Sequence, residues 1–388
     1  MRFVLADSNL VVAGMVYEGF PLLIDDDGDA IQPAQSFLWH LLPSTGRIQS
    51  KKTWEAYGRA IYDFFAYSLT NHLDWRAAPT SDHPGAIEAW RDWSRGTLGL
   101  SARTINQRMR VVIRFYKWAE QQGYIERVPF DYVTVQTSRE PGFLAHVDAS
   151  GGKMETPAIL LSEEQRTIRF LTKEQIDLCH KTLVNPTHQL MFELMVRTGL
   201  RQIECRSFPD AYTFDPSRRK DLRAGAKFSL YLDPKHMDLK REKPRDIDMP
   251  YDLMEKLWIY SVRQRQVRAN NHPEAKELPH LFLTEGGVPY SRNAVTAIFA
   301  KLSQRVGFKV TAHMLRHSYA TYLLWSLDKS PTFQGEPILY VCDRMGHSNV
   351  STTYHYLHLI RILKGQLVLA HEDEIDQLFS STVGNESS

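Results

Sequence analysis

The sequence predicts a mainly α-helical protein with a small antiparallel β-sheet, an α+β fold divided into two domains. Apolar residues recur at helical spacing between residues 52 and 129, and further helices with capping signals follow from residue 170. One stretch, residues 228–250, instead alternates apolar residues around a charged turn, which is typical of a β-hairpin. A chain of 388 residues is long enough for two domains that each bury a core.

Composition and charge exclude several classes of protein. The apolar and charged fractions, 43% and 24%, are those of a globular protein and not of a disordered or fibrous one. Cys179, Cys205 and Cys342 are widely spaced and odd in number, so they predict neither a disulfide framework nor a metal site, and they favour a reducing compartment. No apolar run approaches the length of a membrane helix. We therefore expect a cytoplasmic protein without membrane contact.

The chain divides into four parts. Residues 1–48 combine short β-like runs with an acidic turn, "DDDGD", and are interpreted as an N-terminal extension of unknown role. Residues 49–134 form a helical domain. Residues 135–169 lose periodicity and contain Pro141, Gly142 and the step "SGGK", so they are interpreted as an interdomain linker. Residues 170–388 form the second domain with its C-terminal tail.

One helix of the first domain is strongly basic. Between Arg103 and Lys117 the sequence carries five cations and no acid, and they lie away from an apolar stripe that includes Ile105 and Met109. This pattern favours a helix that faces DNA phosphates, through Arg103, Arg108, Arg110, Arg114 and Lys117. A second basic run, residues 218–245, has ten Lys or Arg against four Asp or Glu. For that run a solvated loop is an equally good interpretation.

The second domain opens with a helix start signal. In "FLTKEQI", Thr172 and Gln175 have the spacing of a capping box. The next helix is expected to end at Gly199, which places Arg201 at a corner between two helices. The hairpin that follows carries two lysines near its tip, Lys240 and Lys243, and both are candidate site residues.

Three histidines and two tyrosines complete the candidate residues. A helix that begins near Thr311 places His313 and Arg316 on one face, because they are three residues apart. His313 and His317 are also four residues apart, as two zinc ligands on one helix would be. The positive charge of Arg316 between them disfavours binding of a zinc ion, so no metal or other cofactor is expected. Further on, "MGHSNVSTTYHYLH" adds His347 and two tyrosines, Tyr354 and Tyr356.

Taken in order, these residues resemble the signature boxes of the tyrosine recombinases, the phage integrase family. "TGLRQIE", "HMLRHSYATYLL" and "MGHSNVSTTYHYLH" resemble the three boxes, and residues 52–133 look like the family's helical core-binding domain. The resemblance implies that Arg201 and Arg316 clamp the scissile phosphate. It also implies Lys240 as the hairpin lysine, with Lys243 as its rival, and His313 and His347 as further donors. Tyr356 is implied as the nucleophile because it follows His347 by nine positions.

The implied chemistry is metal- and ATP-independent strand exchange on double-stranded DNA through a 3′-phosphotyrosyl bond. Two guanidiniums stabilise the charge that develops on the phosphate, and their pocket is expected to favour the phenolate of Tyr356. His313 is a candidate acceptor for the phenol proton, and Lys240 a candidate donor to the leaving oxygen. The resemblance also implies a homotetramer on paired sites, acting for a mobile element. A strand-relaxing enzyme with the same chemistry and a DNA-binding protein with a vestigial site remain alternatives.

Overall fold

The protein is described by a computed structural model. It describes residues 1–46, 48, 50–80, 82–136, 153–163, 168–272, 274, 276–347, 353, 356 and 359. Two compact units divide the chain, Met1–Gln165 and Arg166–Ser388. Most described elements are helices, and the strands pair as short antiparallel ribbons, so the predicted fold class is confirmed.

Unit 1 contains four α-helices and six short strands among its described residues. The helices are α1 (Ala34–Trp39), α2 (Lys51–Thr70), α3 (Ala86–Gly96) and α4 (Ala102–Gln121). The strands are β1 (Arg2–Leu5), β2 (Val11–Val12), β3 (Met15–Val16), β4 (Pro21–Ile24), β5 (Tyr132–Gln136) and β6 (Lys153–Pro157). They pair antiparallel as β1 with β4, β2 with β3 and β5 with β6.

The N-terminal residues are part of the core of unit 1. Phe20, Leu23, Phe37 and Leu38 are at most 1% exposed and belong to the same apolar cluster as helices α2, α3 and α4. Fully burying an apolar side chain of this size contributes about 1.5–3 kcal/mol. Residues 1–48 are therefore structural members of the unit, a role that their short sequence runs did not reveal.

Most of the described part of the segment predicted as a linker packs against unit 1. Strand β6 pairs with β5, and Ile159 is buried in the apolar cluster of the unit. The amide of Asn106 donates to the Leu161 carbonyl at 2.8 Å. Of the predicted linker, residues 137–152 and 164–167 lie outside the described residues.

The described residues of unit 2 form a helical bundle with one β-hairpin. Its described α-helices are α5 (Lys173–Thr182), α6 (Pro186–Thr198), α7 (Gln202–Arg206), α8 (Tyr251–Tyr260), α9 (Gln266–Ala269), α10 (Arg292–Val306), α11 (Ala312–Lys329) and α12 (Pro337–Met345). The hairpin pairs β7 (Lys227–Leu232) with β8 (Arg245–Pro250). Helix α11 packs against α6 and α12, and α12 also packs against β8.

Local signals set several helix ends in unit 2. Thr172 and Gln175 form the predicted capping box at the start of α5. Thr311 caps α11 by accepting the Met314 N–H at 3.2 Å. Helix α6 ends at Gly199, whose φ of 68° is the left-handed conformation that glycine adopts readily. Arg201 lies two residues after Gly199 and His313 two residues after Thr311, so these helix ends set the positions of both side chains.

Candidate active site

Arg201 stands at the corner where the sequence predicts it, between α6 and α7. Its Nη1 donates to Glu204 Oε1 at 2.8 Å, and its Nη2 lies 3.3 Å from the Met345 carbonyl oxygen. The side chain is 19% exposed, so one edge of the guanidinium can still reach a ligand. The corner thus holds a cation rigidly while leaving it accessible.

Arg316 lies beside it on α11 and is almost completely buried. Its Nη1 donates to the Gly199 carbonyl at 2.5 Å and its Nη2 to the Met345 carbonyl. Burial, followed by the positive charge of Arg201, lowers the pKa of Arg316 to about 9. Both predicted phosphate-binding arginines therefore meet at one carbonyl, the last of helix α12.

A third arginine of the cluster, Arg245, is buried and was not predicted. It is the first residue of β8 and forms a two-pronged ion pair with Glu204, at 3.0 and 2.6 Å. Its Nε donates to the Arg344 carbonyl at 3.0 Å. No local signal in the sequence marks this residue, because its partners lie 41 and 99 positions away.

The cluster binds the C-terminal end of α12, and this explains the Gly-His step. Arginine side chains from three elements donate to carbonyls at the negative end of that helix dipole. Gly346 has a φ of 58°, and a Cβ there would lie 2.9 Å from Arg245 Cδ. Only glycine fits this conformation and this contact without strain. His347 follows directly and is thereby fixed next to the arginines.

Glu204 supplies the negative charge of the cluster. Its side chain is fully buried and accepts bonds from Arg245 and Arg201. Burial alone raises the pKa of a carboxyl, but the hydrogen bonds and charge of Arg245, with Arg316 and Arg201, lower the pKa of Glu204 to about 2. The group is therefore ionised at neutral pH. It holds Arg201 and Arg245 in place.

The histidines and Tyr356 form the second half of the site. His317 Nδ1 lies 2.8 Å from Tyr356 Oη, and the His313 and His317 rings are 4.2 Å apart between centroids. The His347 ring stacks parallel to Tyr356 at 6.2 Å, and its Nδ1 lies 3.0 Å from Thr353 Oγ1. The phenol's hydrogen bond is thus with His317, where the sequence suggested His313 as the acceptor of its proton.

Burial controls the protonation of the phenol. Tyr356 is 2% exposed, and burial raises its pKa to about 12 although Arg316 and Arg201 act in the opposite direction. The expected phenolate is therefore not favoured in the free protein, because loss of water outweighs the two cations. Burial and neighbouring positive charge likewise lower the pKa of His347 and of His317 to about 3, so these rings are neutral.

Lys240 is close enough to the arginines of the site for their charge to act on its ammonium group. It begins a short 3₁₀ turn in the loop between β7 and β8, and it is exposed. Partial desolvation and then the charge of Arg201 lower the pKa of its ammonium. The charges of Arg201 and Arg316 act on this ammonium, so Lys240 lies close enough to the arginines to serve as the hairpin lysine of the site. Lys243 lies at the opposite end of the turn. A lysine with a lowered pKa is a better proton donor.

The structure describes the tail segment that carries the two tyrosines only in part. Tyr354 and residues 348–352 lie outside the described residues, whereas Thr353, Tyr356 and Leu359 are described and buried. Within the described part of the chain, no cluster of three or more metal-binding side chains occurs. The described helices also contain none that is both long and apolar enough to span a membrane.

The basic helix of unit 1 presents four of its five cations on one face. Arg103, Arg110, Arg114 and Lys117 are exposed and lie within an arc of about 60° around α4, at about 100° per residue. Arg108 lies about 140° from Arg103 by the same count. It pairs with Asp63 at 2.9 Å, so it faces the neighbouring helix α2.

This chain is similar to known proteins in both sequence and fold. The model of the phage integrase family matches residues 169–361. Transposase A from transposon Tn554 of Staphylococcus aureus is 24% identical over 368 residues, which covers 87% of this chain and 90% of that protein. The tyrosine recombinase XerC of Bacillus subtilis is 25% identical over 280 residues, covering 70% and 76%.

Solved structures share the fold. The Tn1549 transposon integrase, solved in complex with circular intermediate DNA, superposes with a TM-score of 0.55 at 18% identity, covering 83% of this chain and 94% of that one. The XerH site-specific recombinase, solved in a post-cleavage complex with its difH substrate, gives a TM-score of 0.52 at 15% identity, covering 82% and 80%.

Proposed function

The protein belongs to the phage integrase family of tyrosine recombinases, and from this we propose that it is a site-specific DNA recombinase that exchanges strands through a 3′-phosphotyrosyl intermediate. One observation carries the proposal. Two arginines, three histidines and a tyrosine from three separate stretches of chain meet around the C-terminal end of α12. A transposase and a transposon integrase among the similar proteins support action for a mobile element.

In the proposed reaction Arg201 and Arg316 bind the scissile phosphate. Each guanidinium has five N–H donors, so donors remain beyond those bonded to backbone carbonyls. Charge grows on the non-bridging oxygens during attack, so these cations stabilise the transition state more than the ground state. His313 and His347 add donors at the same oxygens. Loss of one such donor costs about 3–4 kcal/mol of barrier in comparable sites.

Cleavage then joins Tyr356 Oη to phosphorus, breaks the bond to the 5′ oxygen and transfers the phenol proton to a histidine of the site. Lys240 protonates that leaving oxygen as it departs. The phosphotyrosyl bond conserves the energy of the broken phosphodiester, so a 5′-hydroxyl of a second duplex can reverse the step without ATP. Neither a metal nor another cofactor is required by this scheme.

The proposed partner is double-stranded DNA, bound by a homotetramer on paired sites in the cytoplasm. In unit 1 the exposed cations of α4 contact the phosphate backbone, and this contact supplies affinity without sequence readout. The Tn1549 integrase was solved with DNA and XerH with its difH substrate, which supports the same class of partner here.

Covalent trapping tests the proposal. Wild-type protein and the variants Tyr356→Phe and Tyr354→Phe are incubated with nicked duplexes tiled from DNA that flanks the gene, and SDS-resistant adducts are counted. We expect adducts with wild type and Tyr354→Phe but none with Tyr356→Phe. Adducts that persist in Tyr356→Phe and vanish in Tyr354→Phe would move the nucleophile to Tyr354. Specific binding without any adduct would indicate a vestigial site, and relaxation of supercoils without joined products would indicate a strand-relaxing enzyme.

A further inference from the structure

His317 contacts the reacting atom, although neither the proposed reaction nor the sequence analysis gives it a role there. The ring follows Arg316 on α11, and its Nδ1 lies 2.8 Å from Tyr356 Oη. The helix is fixed at this point because the side chain of Arg316 donates to two carbonyls outside the helix, those of Gly199 and Met345. The phenol is thus held by a group on a rigid element.

The phenol requires a base, because burial raises its pKa and keeps it protonated at neutral pH. Attack on phosphorus by a neutral phenol leaves a proton that must be transferred as the bond forms. His347 is poorly placed to receive it, because its ring lies parallel to the phenol and its Nδ1 contacts Thr353. His317 points a ring nitrogen at the hydroxyl within hydrogen-bond distance.

We propose that His317 is a catalytic residue that holds the phenol of Tyr356 and accepts its proton during strand cleavage, an inference that rests on the proposed recombinase function. In this step Nδ1 accepts the phenol proton while Oη bonds to phosphorus. The bond from phosphorus to the 5′ oxygen breaks, and that oxygen receives a proton from Lys240. In the reverse step the imidazolium of His317 returns its proton to the phenol, so protons and charge balance over one exchange.

The surroundings of His317 couple this transfer to DNA binding. The groups that face it are His313 and Arg316 on its own helix, His347 after α12, and Tyr356. In the free protein, burial and then His313, Arg316 and His347 lower the pKa of the ring and disfavour an imidazolium there. A bound phosphodiester brings a negative charge into the same pocket and offsets the cations. We therefore expect His317 to be a stronger base when the phosphate is in place than in the free protein.

The experiment measures single-turnover adduct formation on the nicked duplex between about pH 6 and 9.5 for two substitutions. His317→Ala removes the contact, whereas His317→Asn retains a hydrogen-bonding atom near the Nδ1 position but cannot accept a proton. At pH 7 we expect His317→Ala to be about 100-fold slower than wild type. We expect the rates of both variants to rise about tenfold per pH unit, because the phenol must ionise before it attacks, while the wild-type rate falls only toward acid.

A matched control lies in the same unit. His188 Nε2 is 3.1 Å from Tyr290 Oη, which is also a histidine–tyrosine hydrogen bond but lies outside the site. His188→Asn should keep the wild-type rate and pH profile. DNA binding by each variant, measured in parallel, shows that it is folded. A wild-type rate in His317→Ala, or a wild-type pH profile in His317→Asn, would overturn the proton-acceptor role.

A second measurement needs no DNA. In ¹⁵N-histidine-labelled protein, Tyr356→Phe should shift the ring-nitrogen signals of His317 and leave those of His188 unchanged. Unchanged His317 signals would refute the contact itself. Wild-type protein that forms no adduct on any duplex would instead overturn the recombinase function and with it the proton transfer, so the two failures are distinguishable.

Discussion

Replacing Glu204 by Gln should strongly destabilise unit 2 at neutral pH. The carboxylate is fully buried between Arg201 and Arg245, and a neutral amide in its place would leave both guanidiniums without their counter-charge. One pH unit of difference between folded and unfolded pKa is worth about 1.4 kcal/mol. The lowering of the Glu204 pKa from 4.5 to about 2 therefore corresponds to about 3 kcal/mol. Removal of one partner from a buried ion pair costs about 3–5 kcal/mol in general, which agrees.

The cysteines provide an assay that is specific to unit 2. Cys179, Cys205 and Cys342 are the three cysteines of the chain, all are buried, and all lie in unit 2. Thiol labelling as a function of urea therefore reports the opening of this unit alone. We expect the labelling midpoint of Glu204→Gln to fall far below that of wild type at pH 7.

The pH dependence has a definite sign. Because the folded pKa of Glu204 lies below its unfolded value, its stabilisation is complete above about pH 4.5 and disappears as the pH falls toward about 2. The difference between wild type and Glu204→Gln should shrink across this window. Asp221→Asn is the control, because the Asp221 pKa is also lowered to about 2, but its ion pair with Arg219 is exposed. Equal midpoints for wild type and Glu204→Gln at pH 7 would refute the role of the buried charge.

Three further predictions, two of them with a control substitution, test other parts of the structure. Gly346→Ala should destabilise unit 2 by about 1–3 kcal/mol in the thiol assay, because it adds a clash with an arginine side chain to an unfavourable φ. Gly307→Ala, which has a φ of 77° and open space around it, should cost only about 1 kcal/mol, and equal losses would contradict the clash. Arg114→Ala should reduce the slope of log affinity against log salt for DNA by about 1, whereas Arg108→Ala should not, and filter binding at several salt concentrations measures both. Asn185→Ala should lower the free energy of unfolding of unit 2 by about 1 kcal/mol, because the Asn185 side chain accepts from two N–H groups at the start of α6. A loss no larger than that caused by replacing an exposed side chain with alanine would show that the cap contributes little.

Much of the fold was predictable because its signals are local. A capping box at Thr172, a left-handed glycine after α6 and an alternating hairpin each act within a few residues, so their spacing is visible in the sequence. The packing of residues 1–48 into unit 1 was not predictable in this way, since Phe20 and Phe37 find their partners on distant helices. The division of the chain into functional domains stays a prediction.

The candidate site likewise has features that were predictable from local sequence signals and features that were not. Arg201, Arg316, His347 and Tyr356 were named from the order and spacing of short boxes, and the structure brings them together. Arg245 and the contact of His317 with Tyr356 were missed, because each depends on residues tens of positions away. The phenolate expectation was wrong for the free protein, where the pKa of Tyr356 is raised, because charge is visible in a sequence whereas burial is not.

The sequence by itself determined the residue types of the site, the helices and hairpin that carry them, and the basic face of α4. Tertiary structure alone decided which histidine meets the phenol, which carboxylate holds the arginines, and whether desolvation or positive charge governs the protonation of Tyr356. The physical reason is that helix caps and periodicity arise from neighbours along the chain, whereas burial and electrostatic coupling arise from groups that meet only in the folded protein.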